Sequence, residues 1–256
     1  MIPKYKICLT TFLAILYLVV TGTALAASND EIQVYDDTIN QPGESGLDLH
    51  ANYVSSGIST PSWQGDAPAN HSFRLTPEYS YGLSDTLEFG AYLPLLRDAN
   101  GTDYVEGAKI RLKYIPAHQG SAFFWGMNEE FGRVSNRTEE QNWHLEVRPI
   151  VGCEVKKYKI SLNPILNWAI SGSHNNVPEF SPAIRVAYAA KKSLVVAVEQ
   201  YSSLGPLNDL LSYQQQIQQT YVVIDTELAG HSIELGVGKG WTSASDNWTF
   251  KTIMSW

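Results

Sequence analysis

The sequence predicts an all-β protein, a closed antiparallel transmembrane β-barrel of about 12 strands arranged as an up-and-down meander. Three observations predict it. Successive segments alternate apolar and polar residues with the period of two that a half-buried strand requires, each close to the ~9 to 11 residues with which a tilted strand crosses a bilayer. The connections between them alternate between short and long. The chain stops on "DNWTFKTIMSW", an alternation that runs to the last residue, where most domains end in a loose polar tail.

Residues 1–26 have the three regions of a secretory signal peptide: a basic start at Lys4 and Lys6, an apolar run from Ile7 to Val20, and small residues Ala24 and Ala26 before the exit. That run is shorter than the ~20 residues of a spanning helix. Cleavage near Ala26 leaves 230 of the 256 residues and removes two lysines and no acid, so the formal charge moves from -8 to -10. Such a chain offers no basic face for nucleic acid. Cys153 is the one cysteine left, too few for a disulfide framework.

Residues 27–46 form an acidic periplasmic N-terminal segment ending in "QPGE", a turn signal. The sequence leaves three fates open for it: plugging the mouth, local pairing, or a disordered leader. The barrel itself is expected over 47–256. In "LDLHANYVSSG" Leu47, Leu49, Ala51 and Tyr53 share one face against Asp48, His50 and Asn52. "SFRLTPEYSYG", "TLEFGAYLPLL", "EGAKIRLKYI", "NWHLEVRPIVG" and "YKISLNPILNWAI" repeat the pattern, each read as one strand. Weaker alternation continues at 180–190, 194–202, 219–228, 233–240 and 247–256. "AFFWGMNEEFGR" is a strand whose faces are ambiguous, and "GPLNDLLSYQQQIQQ" is the one candidate for a short helix.

Short links such as "GLSD", "PAHQG", "KK", "KKS" and "AGHS" alternate with long ones such as "RVSNRTEEQN". Membrane barrels show this asymmetry, with short periplasmic turns and long outer loops, and it places both termini on the periplasmic side. A secreted soluble β-barrel that binds a small apolar ligand would also alternate. Against it, Arg74, Glu78, Glu88, Lys109, Arg111, Lys113, Glu146, Arg148, Arg185 and Glu234 stand at strand centres on the polar face, while aromatic residues gather at strand ends as in interfacial girdles. Gly236, Gly238 and Gly240 share one face of a late strand and suggest a barrel corner or room for the N-terminal segment.

The leader, the alternating strands and the ending "WTFKTIMSW" together resemble Gram-negative outer-membrane β-barrel proteins. The resemblance implies an outer-membrane location, contact with outer-membrane lipid, and a C-terminal signal read by the barrel-insertion machinery. Trp248, Phe250, Met254 and Trp256 match that signal, and Thr252 departs from it. "DTLEFGAYLPLL" and "IELGVGKGWTSASDNWTFK" are loosely similar to the uncharacterised barrels grouped with phenol-degradation-pathway outer-membrane proteins.

The residue pattern argues against catalytic chemistry. A His and Ser sharing a strand face must be two residues apart, and the residues two after the six histidines are Asn52, Phe73, Gly120, Glu146, Asn176 and Ile233. No catalytic residue, metal ligand set or cofactor site is expected. "DANGTD", with Asp98, Asn100 and Asp103, lacks a full calcium-loop pattern. The inward charges, above all the column Lys109, Arg111 and Lys113 beside Glu88 and Glu130, have two readings: a salt-bridge network stiffening a narrow barrel, or a selectivity lining for a small anionic or aromatic solute. The expectation is thus a passive channel for small solutes or a structural envelope protein, with a lipid-modifying enzyme as the remote alternative.

Overall fold

The computed structural model describes residues 31–116, 121–172 and 177–256; the leader and its cleavage site lie outside them. Period-two sequence becomes strand as expected: β1 (Ser45–Ser56), β2 (Phe73–Ser84), β3 (Leu87–Tyr92), β4 (Leu95–Arg97), β5 (Asp103–Val105), β6 (Gly107–Tyr114) and β7 (Phe123–Val134). The second half supplies β8 (Trp143–Val155), β9 (Tyr158–Ala169), β10 (Glu179–Lys191), β11 (Leu194–Ser203), β12 (Ile217–Leu228), β13 (His231–Gly240) and β14 (Trp248–Ser255). Each long strand pairs antiparallel with the next, and β1 pairs with both β2 and β14, so the sheet closes on itself as a barrel of 12 strands.

Fourteen segments make twelve staves because two staves are broken. "TLEFGAYLPLL", expected as one strand, is interrupted at Leu93 and Pro94, since proline has no N–H for the ladder. The next stave breaks at Glu106, whose N–H turns away to the Pro94 carbonyl (2.8 Å). Between them the β4–β5 hairpin pairs with β2 through β4. Its tip is the polar turn of "DANGTD", where the Asp98 carboxylate accepts from the N–H groups of Asn100 and Thr102, both at 2.9 Å. The helix considered for "GPLNDLLSYQQQIQQ" shrinks to one 3₁₀ turn, Tyr213–Gln215, at the start of β12.

The alternation sorts side chains by side. Leu47, Tyr79, Leu112, Trp125, Val198, Val222, Val237 and Phe250 are exposed on the outer wall, whereas Asn52, Glu78, Arg111, Asn163, Glu199 and Lys251 are buried on the inner one. An apolar band of that extent would aggregate in water and is stable against lipid. Mid-wall, the register from Val147↔Leu166 to Val151↔Leu162 sets Pro149 opposite Pro164, which itself pairs with Pro182. The missing donors are thereby gathered in one place.

Candidate functional site: a charged lumen and its N-terminal strap

All ten inward charges anticipated above stand on the inner face; Arg74, Glu78, Glu88, Lys109, Arg111, Lys113, Glu146 and Arg148 are buried there, and Arg185 and Glu234 nearly so. The register gathers them into groups. Arg111 bridges Glu78 (2.6 Å) and Glu88 (2.7 Å), and Glu78 also meets His50 Nε2 at 3.0 Å. Lys109 pairs with Glu130 at 2.7 Å, and Arg148 with Glu146 at 2.8 Å. At the long-loop end Arg74 donates to Thr138 Oγ1 (2.9 Å), which donates in turn to Glu106.

A further cluster forms on β10 to β14. Lys251 Nζ lies 2.5 Å from Glu199 and 2.6 Å from Glu234, and Arg185 bridges Glu199, Glu234 and Asp225. Lys251, Glu199 and Asp225 were absent from the sequence-derived set. Lys251 sits on the correct side of the terminal alternation, but nothing in one strand tells that its partners wait one and three strands away. Gly236 and Gly238 belong to this cluster: a Cβ at Gly236 would stand 2.8 Å from the Lys251 side chain, and one at Gly238 would stand 2.3 Å from the Tyr221 ring. These glycines make room for wall side chains, which corrects the reading of them as a corner or as space for the N-terminal segment.

Residues 31–40 run inside the barrel as a strap. The turn at Gln41–Glu44, closed by the Glu44 N–H on the Gln41 carbonyl (2.9 Å), folds the chain back from the start of β1. The strap then meets the wall residue by residue. The Asn40 N–H donates to Glu88 (2.7 Å), Lys113 donates to the Thr38 carbonyl (2.7 Å), and Asp36 and Asp37 pair with Lys159 (2.7 and 2.6 Å). At Tyr35 both backbone groups are taken by the Asn163 amide, its N–H donating at 2.6 Å and its carbonyl accepting at 3.0 Å. Arg148 and Lys251 donate to the carbonyls of Gln33 (3.2 Å) and Ile32 (2.9 Å).

Apolar contacts add to these. Tyr35 packs with Ile115, Phe124 and Ile150, Val34 with Ile165 and Ala183, and Ile32 with Ala187, Ala197, Tyr221 and Val223. The Tyr35 ring also lies 4.7 Å from Lys113 Nζ and 4.4 Å from the Arg148 guanidinium, and its hydroxyl is 2.6 Å from that of Tyr92. Asp36, in the strap, would be raised by burial, but Lys159 and Lys113 overcome this and hold its carboxyl far below the ordinary range. Among the three fates left open for this segment, the geometry is that of a plug.

The strap divides the lumen. Toward the end of the barrel that holds Trp256 a cavity of about 400 Å³ remains, lined by Asp48, Glu78, Arg111, Lys113, Arg185 and Glu234. On the other side about 50 Å³ is left between Ile32, Arg148, Tyr201 and Gln219. His50 Nε2 faces the Glu78 carboxylate and, through it, the Arg111 network. No group of three or more His, Cys, Asp or Glu suited to a metal ion occurs among the described residues.

No family model matches the chain, and no curated protein matches it. Solved structures do. The "KdgM porin" aligns with a TM-score of 0.57 at 10% identity, covering 82% of this chain and 98% of that one. The COG4313 outer membrane channel from Pseudomonas putida F1 aligns with a TM-score of 0.58 at 10% identity, covering 88% and 99%. The NanC porin gives 0.54 at 10% identity, covering 82% and 97%. At such identities the likeness is one of architecture, and by architecture this chain is similar to outer-membrane porin and channel barrels.

Proposed function

We propose that the protein is an outer-membrane channel for small solutes, held shut in the form described by its own residues 31–40. One observation carries this reading: a wall that is apolar outside and charged inside encloses a strap whose hydrogen bonds run mainly between wall side chains and its backbone, contacts that can be exchanged for water. A structural pillar has no need of a removable filling. The printed names of the similar structures, porins and an outer membrane channel, support the same class, as does the loose resemblance to the phenol-pathway barrels. The column Lys109, Arg111 and Lys113 with Arg185 and Arg148 favours a small anionic or aromatic solute. The outward apolar band speaks against the soluble, ligand-binding alternative.

Single-channel recording of the mature chain in a planar bilayer tests the proposal. The intact protein should be silent or flicker, and a variant lacking residues 31–40 should give stable steps whose anion preference falls when Lys109, Arg111 and Lys113 are changed to Gln. Silence in both forms, or equal conductance with and without the strap, would overturn it.

A further inference from the structure

On the outer wall near the long-loop end, the β4–β5 hairpin leaves the barrel while β6 stays in it. The departure hinges on Gly107, at φ +150°, where a Cβ would stand 1.8 Å from the Arg133 carbonyl oxygen. What remains is a groove of about 940 Å³ on the faces of β6, β7 and β8. Val105, Ala108, Ile110, Phe131 and Trp143 form its apolar surface, all exposed, with Phe131 stacked on Trp143 at 5.3 Å.

Arg133 lies in the same groove, opposite Ala108 on one side and Trp143 on the other. It faces outward, is exposed, and makes no ion pair or side-chain hydrogen bond with any described residue. A guanidinium on a lipid-facing wall is costly near the midplane, and the cost falls toward the interface, where the side chain can reach the headgroups. Arg137 beside it is already engaged by Glu106 and stacked over Tyr104. Among the described residues that line the groove the free cation is therefore Arg133, one row of residues above an apolar, aromatic floor: Ile110 and Phe131 pair directly below Ala108 and Arg133. Glu129, two rows deeper on the same face, does not line the groove.

We infer that this groove seats a phosphorylated lipid of the outer leaflet, with a headgroup phosphate on Arg133 and an acyl chain over Ala108, Ile110 and Phe131. Charge complementarity chooses the occupant: a cation above an apolar slot, at the end of the barrel that carries the long loops, matches an anionic amphiphile. Arginine binds phosphate through two parallel N–H donors, a geometry lysine lacks. The inference rests on the outer-membrane placement proposed above.

Native mass spectrometry of the detergent-extracted mature protein tests it with three probes: bisphosphorylated lipid A, the same lipid stripped of phosphate, and inorganic phosphate. The bisphosphorylated lipid should be retained about tenfold more than the stripped one, a difference of ~1.4 kcal/mol. R133Q should erase the difference, R133K should keep part of it, and W143L should lower retention of both lipids. Equal retention of the two lipids, or wild-type retention by R133Q, would overturn the inference. So would competition by inorganic phosphate alone, which would mark a free-anion site. Heat-modifiable gel migration verifies that each variant is folded. Recovery of the chain in the soluble fraction would instead refute the membrane placement, so the two failures read differently.

Discussion

Two neighbouring acids show how much one residue can depend on its side of the wall. Glu130 points inward to Lys109 at 2.7 Å, while Glu129 points outward between Leu112 and Val147 and is exposed on the apolar face. Removing a carboxylate from a lipid-facing position should stabilise the barrel, by somewhat less than the ~2 to 4 kcal/mol that a basic residue costs at the midplane. Glu129→Leu is expected to gain about 1 kcal/mol in reversible unfolding from lipid vesicles; a loss of stability would show that Glu129 has a partner. This pair also marks a limit of legibility. In "AFFWGMNEEFGR" either acid fits either face, and only the ladder with β6 and β8 assigns them. Where a strand carries a single clear alternation, as around Lys109, Arg111 and Lys113, the inner face could be read from the residues alone.

The strap was the least legible element. Its partners include side chains from β3, β6, β8, β9 and β14, so it has no ladder and only a brief alternation in "EIQVYD" to betray it. Local pattern foretold its turn at "QPGE", and nothing local foretold its seat. The ion pair of Asp36 with Lys159 makes the seat sensitive to acid. Because the seated carboxyl titrates below its ordinary value of 3.8, this contribution is complete above that value and is lost as pH falls from there through the lower seated value. Openings of the intact channel should accordingly become more frequent below about pH 4, and Asp36→Asn should flatten that dependence. Recordings between pH 3 and 7 would check it; an opening that rises with alkali would contradict the sign.

At the scale of the whole molecule, closure depends on the last residue. Trp256 donates its N–H to the Leu47 carbonyl (3.0 Å) and accepts from the Leu47 N–H (3.2 Å), and its ring sits 5.7 Å from that of His231. The terminal alternation is therefore a seam, with the last strand paired on both of its sides. Trp248, Phe250 and Trp256 are exposed on the outer wall, with Met254 half-exposed among them. Deleting Trp256 should impair membrane insertion more than neutralising any single lumen charge, measured as the folded fraction in outer-membrane preparations. Equal folded fractions would remove the proposed insertion role. The strand number, the meander and the sidedness of most residues were legible because the bilayer imposes one length and one period on every stave. The two broken staves were not, because their interruptions depend on Pro94 and Glu106, distant in sequence, bonding to each other.

The strap reverses the order of synthesis. Residues 31–40 precede every wall strand in the sequence, yet their seat is composed of Glu88, Lys113, Arg148, Asn163 and Lys251, the last of them five residues from the end of the chain. Synthesised before any wall strand, this segment thus has nowhere to bind until the final strand has closed the circle. Its docking is a record of completed assembly: a barrel missing even its last stave lacks the lysine that holds Ile32, and so leaves its own leading segment exposed to whatever inspects unfinished proteins.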